Sequence, residues 1–74
     1  MNNERRKQRD EIVKRLTEIK NDVIDLREDE QEAMENVPEN LKESEKYQSM
    51  EDAVDNLNDA TYSIAEAVES LNNI

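Results

Sequence analysis

The chain contains no cysteine, histidine, glycine, tryptophan or phenylalanine, and only one proline. Without cysteine no disulfide can staple it, and without cysteine or histidine the usual ligands of structural zinc are missing. The same two absences remove the commonest nucleophile and the commonest general base, and no serine or threonine has an evident base partner. A β-rich fold would need turn glycines, so their absence favours long helices with few joints. Apolar runs stop at two residues, as in Ile12-Val13, Val23-Ile24 and Ala53-Val54. That is far short of a secretion leader or a membrane span, so a cytoplasmic protein with no membrane contact is expected.

What the chain has in quantity is charge, mostly of one sign. Charged residues make up 41% of the 74 and the net charge is −10. Such a balance repels phosphate backbones and anionic lipid, and favours a protein partner with a basic surface over direct nucleic-acid binding. The charge is also unevenly placed. Residues 1–20 hold seven Lys/Arg against four Asp/Glu, a net of +3, whereas residues 21–74 hold three against sixteen, a net of −13. The basic start is either an interaction arm or, as expected here, pairs with the acidic end of a second helix, bringing Arg5, Arg6, Lys7 and Arg9 beside Glu69.

The apolar residues are periodic, which argues for order in spite of the high charge. Asp52-Ala53-Val54, Asp59-Ala60-Thr61 and Glu66-Ala67-Val68 repeat one pattern every seven residues. With the residues three positions further on they make a seam of Tyr47, Met50, Val54, Leu57, Thr61, Ile64, Val68 and Leu71, flanked by Ala53, Ala60, Ala67 and Ile74. A second heptad runs through Ile12, Leu16, Ile19, Val23, Leu26, Glu30, Ala33 and Val37. Set antiparallel, facing residues such as Leu16 with Leu71 and Val23 with Ile64 carry numbers that add to 87, and only Glu30 opposite Leu57 breaks the apolar pairing. The expectation is an all-α protein. It is an antiparallel two-helix hairpin with coiled-coil-like packing, with a helix at about 3–36, a connection at about 37–48 and a helix at about 49–73. Pro38 ends the first helix, and Ser44 or Ser49 can cap the second.

The acidic rows are the most suggestive functional feature. Asp25, Glu28, Glu32 and Glu35 follow one another at helical steps, with Asp29 beside them and Glu39 extending the patch into the connection. On the second helix Asp52, Asp59 and Glu66 repeat every seven residues, flanked by Asp55. Carboxylates at one-turn steps lie about 5–6 Å apart. Phosphates along a nucleic-acid strand have a similar separation, so such a rod can occupy a DNA-binding groove. Ile24, Met34, Val13 and Tyr62 fall outside the narrow seam, and Ile24, Met34 and Tyr62 are candidate apolar anchors for a partner. The acids follow helical rather than calcium-loop spacing, and no metal or other cofactor is expected.

The run EDEQEAMENVPENLKESEKYQSMEDAVDNLNDA, residues 28–60, resembles a group of small acidic proteins from phages and mobile elements of Firmicutes. Glu30, Gln31, Pro38, Ser44 and Glu45 carry the likeness, and Tyr47-Gln48 departs from a glycine-containing version of it. The missing catalytic residue types lead to the expectation of a non-enzymatic protein, and the resemblance implies a phage or mobile-element setting, hence a host cytoplasm. By analogy with anti-CRISPR proteins, it would inhibit a host defence or nucleic-acid-handling protein in the manner of a DNA mimic. The alternative expectation is an assembly module, in which hairpins self-associate into a four-helix bundle.

Overall fold

The computed structural model describes all 74 residues and contains two long helices joined by a short turn. Helix α1 spans Asn3–Glu35, a 3-10 turn spans Glu39–Leu41, and helix α2 spans Glu45–Asn72. The helices pack antiparallel into a rod 59 Å long and 15 Å by 12 Å across.

Local chemistry sets the ends. The Asn2 side chain accepts a hydrogen bond of 2.8 Å from the Arg5 N–H and so caps α1. No glycine or proline interrupts the next 33 residues. Pro38 lacks an N–H and disfavours a helical Val37, so α1 stops at Asn36. The chain turns through Glu39–Leu41, where the Leu41 N–H reaches the Pro38 carbonyl at 2.8 Å. No residue has a positive φ, which is why the turn manages without glycine. Ser44 then caps α2: its Oγ accepts from the Tyr47 N–H at 3.2 Å and donates to the Leu41 carbonyl at 2.7 Å. The second helix therefore starts four residues before the expected position 49, because Ser44 rather than Ser49 closes the turn.

On α2 the seam is the expected one. Tyr47, Met50, Leu57, Thr61, Ile64, Val68 and Leu71 are half-buried, and Val54, 8% exposed, is the one buried residue of the molecule. The Thr61 hydroxyl sits on this seam without penalty because it donates to the Leu57 carbonyl at 2.9 Å.

On α1 the expected seam is half right. Leu16, Val23, Glu30 and Val37 are half-buried. Their expected companions are not: Ile12 is 39% exposed, Ile19 50% and Leu26 56%, and Ala33 is exposed too. Their places are taken by Val13, Lys20, Arg27 and Met34, with Thr17 and Ile24 beside them. The contact face has turned by about one residue, or 100°, at its flank. The reason is width. Apolar side chains on α1 span more of the circumference than one neighbour can cover, and the long stems of Lys20 and Arg27 are apolar enough to fill the seam while their charged ends reach its edge. Glu30 behaves in the same way.

Two hydrogen bonds of arginine cross between the helices. Arg27 Nη1 donates to Asn58 Oδ1 at 2.9 Å, and Arg9 Nη1 donates to the Ile74 carbonyl at 2.6 Å. Their residue numbers add to 85 and 83, within about one turn of the expected register. Since Arg9 already meets Ile74, beyond the end of α2, the stretch before it projects past the hairpin. Of the four bases expected beside Glu69, none pairs with it: Arg9 bonds to the Ile74 carbonyl and to Asp10, and Arg5, Arg6 and Lys7 are exposed in the overhang.

The Ser44 cap gives a direct test. Ser44→Ala removes both of its bonds at the start of α2 and is expected to cost about 1 kcal/mol. For a chain of this size that lowers the melting temperature by about 4–8 °C, readable by circular dichroism. The same change at Ser49, which caps nothing, should leave the transition within error of the parent.

Candidate functional site: an acidic side and an apolar side

The ten acids singled out from the sequence, Asp25, Glu28, Asp29, Glu32, Glu35, Glu39, Asp52, Asp55, Asp59 and Glu66, are all exposed. Their neutralisation by the chain's own bases is slight. Three ion pairs form: Arg9 with Asp10 at 3.0 Å, Arg27 with Glu28 at 3.7 Å and Lys42 with Glu39 at 3.3 Å. None links the two helices, and seventeen of the twenty acids have no cation within 4.0 Å. From Tyr47 to Ile74 there is no Lys or Arg at all. The hairpin is therefore held by its apolar seam, and most of the acids face solvent without a cation.

Helical geometry sorts these acids by side. In an antiparallel pair of right-handed helices, the row just before the first seam position of each heptad lies on one side of the hairpin, and the row just after the second lies on the other. Glu28 and Glu35 of α1 and Asp55 of α2 lean to this second side, and Tyr62, 73% exposed, stands among them. Asp25 and Glu32 form the outer edge of α1, and Asp52, Asp59 and Glu66 the outer edge of α2, at opposite margins of the rod. The two acidic ridges thus straddle one side rather than merging into a single row. Asp29 is the exception and lies toward the other side. Glu39 stands at the turn. A shallow groove of about 320 Å³ on the acidic side is lined by Arg27, Glu28, Gln31, Glu32 and Glu35.

Two of the three expected apolar anchors are placed elsewhere. Ile24 and Met34 are half-buried beside or on the rotated seam, where they hold the hairpin together. Tyr62 alone of the three is freely exposed.

The opposite side was missed by sequence reasoning, because its α1 members had been assigned to the seam. Ile12, Ile19, Leu26 and Ala33 of α1 fall on the same side as Ile74, Ala67, Ala60 and Ala53 of α2. Taken in that order, each pair has numbers that add to 86, so they lie level with one another and make four apolar layers along the rod. The signal available in the sequence was the third apolar row in each heptad, beyond the two that a simple pair of helices requires.

No three acidic side chains converge closely enough to hold a metal ion, and no helix is long and apolar enough to cross a membrane. Comparison with protein-family profiles, with curated proteins and with solved structures finds no match.

Arg27 carries a structural cost that can be measured. Its Nε is buried and has no hydrogen-bond partner. Replacing it by methionine keeps the apolar stem on the seam and removes that unsatisfied donor, at the expense of the exposed bond to Asn58. Arg27→Met is expected to be neutral or to stabilise by about 1 kcal/mol. Urea denaturation followed by circular dichroism measures the change.

Proposed function

We propose that this chain is a non-enzymatic acidic binding protein that occupies a basic surface on a protein partner. The observation that carries the reading is the set of acids left without cations along both margins of one side. A surface of that kind gains most from a partner that supplies the missing positive charge. Surfaces that normally bind nucleic-acid phosphates are the obvious candidates, because carboxylates at one-turn steps on a rigid rod match a row of phosphates. In this proposal the protein acts as a DNA mimic and inhibits a nucleic-acid-handling or defence protein of a host cell. The likeness of residues 28–60 to small acidic phage and mobile-element proteins agrees with that setting. Tyr62 contributes the apolar contact at the centre of the acidic side, as aromatic anchors do in many interfaces.

Binding of this type should weaken steeply with salt, since exposed charges are screened over about 8 Å at physiological ionic strength. Protein immobilised through a terminus and exposed to a bacterial lysate should retain partners that elute with added salt and with duplex DNA. Asp25→Lys, Glu28→Lys and Glu32→Lys together should abolish retention while the helical circular-dichroism signal persists, because all three residues are exposed. Tyr62→Ala should weaken a purified partner's binding about tenfold, or about 1.4 kcal/mol. Retention indifferent to salt, to DNA and to the triple substitution would sink the proposal.

A further inference from the structure

The apolar side has no neighbour in the hairpin, and three observations identify what covers it. The first is width. Each helix carries an apolar row beyond the two that face its neighbour, Ile12, Ile19, Leu26 and Ala33 on α1 and Ala53, Ala60, Ala67 and Ile74 on α2, the pattern of a helix that meets two neighbours, and the hairpin supplies only one. The uncovered row on α1 lies about 100° round the helix from the middle of the seam, roughly the quarter turn at which a helix in a four-helix bundle meets its second neighbour.

The second is surface. The chain exposes 5681 Å². A compact monomer of 8.7 kDa is expected to expose about 4,700 Å². The excess is comparable to the roughly 800 Å² that each partner buries in an interface of ordinary size.

The third is charge, and it chooses the occupant. Helix α1 is electrically bipolar: residues 4–15 hold six bases and three acids, net +3, whereas residues 23–34 hold one base and five acids, net −4. A second α1 laid antiparallel across the first, centred on Ile19, sets these two segments opposite each other twice. Its ends also match, because Asn3–Glu35 is centred on residue 19 and the two helices then overlap along their whole length. In that register Ile19 faces Ile19 of the second copy and Ile12 faces Leu26. On the facing side Arg15 comes level with Asp22, and Arg5 of the overhang lies about one turn from Asp29. On α2 the same symmetry sets Ala67 against Ala67 and Ala60 against Ile74. The rim of α2 on this side consists of Ser49, Asn56, Ser63 and Ser70, none of them charged, so nothing there opposes close approach. The other twofold arrangement, α1 on the α2 of the second copy, would place the acidic half of α1 against a helix whose one base, Lys46, lies in its first turn.

We propose that a second copy of this chain covers the three apolar layers from Ile12 and Ile74 to Leu26 and Ala60, forming an antiparallel dimer about a twofold axis at Ile19 and Ala67. The acidic sides then face outward on opposite surfaces of the bundle. The proposal does not depend on the partner suggested above, and its test needs no partner.

Sedimentation equilibrium across the micromolar to millimolar range should give a dimer that dissociates on dilution. Ile19→Asp should weaken association at least a hundredfold. If that variant also loses helicity, cysteine substitutions keep the test open, since the chain has no cysteine of its own. Ile19→Cys and Ala67→Cys should each form a disulfide-linked dimer under mild oxidation, and Ser63→Cys, on the uncharged rim of α2, should do so no faster than free thiols in solution. A monomer throughout the range overturns the proposal. So does a dimer in which Ile19→Cys and Ala67→Cys link only when the two variants are mixed, because that places α1 on α2.

Discussion

A helix can press only part of its circumference against one neighbour, and this limit governs the whole molecule. Helix α1 carries apolar side chains over a wider sector than α2 can cover. The pair settles where Val13, Leu16, Val23, Ile24 and Met34 meet the regular seam of α2. Ile12, Ile19 and Leu26 are left at the edge and outside it. With a single buried residue, the hairpin has a contact line rather than a core. Stability in so small a chain comes from the sum of many half-buried contacts, and a second layer of packing would add greatly to it.

Charge follows the same division. Arg9, Lys20 and Arg27 are the bases that the seam admits, laying apolar stems along it. Arg27 leaves its Nε buried and unpartnered. The acids stand apart from this packing, on the outer edges and on one side, and the ion pairs that form are between neighbours in sequence rather than across the hairpin. Exposed pairs of that kind contribute little to stability. The distribution of charge is therefore not tied to holding the hairpin together.

Much of this was legible in advance, for physical reasons that differ by element. The α2 seam could be read residue by residue because its rows are unambiguous: apolar at the seam, alanine beside it and acid opposite. The break at Pro38 was legible because proline has no N–H to give. The choice between Ser44 and Ser49 was not, since both are good caps and only the geometry of the turn after Leu41 selects the first. The acidic ridges were legible as rows, but their arrangement on the two margins of one side was not.

The sequence by itself determined that the protein is helical, that it turns once, and that nearly all of its acids lie away from the packing, Glu30 excepted. Periodicity and the absence of glycine suffice for that, because both act within one helix. Only the tertiary structure decided which of two adjacent apolar rows of α1 faces α2. Ile12, Ile19 and Leu26 compete there with Val13, Lys20 and Arg27, and hydropathy favours the first set. The pairing takes the second because the contact then also covers Val13, Ile24 and Met34. Rotating the helix buries those residues together at the cost of exposing one row. That outcome depends on the shape of the opposing surface, which no single helix encodes.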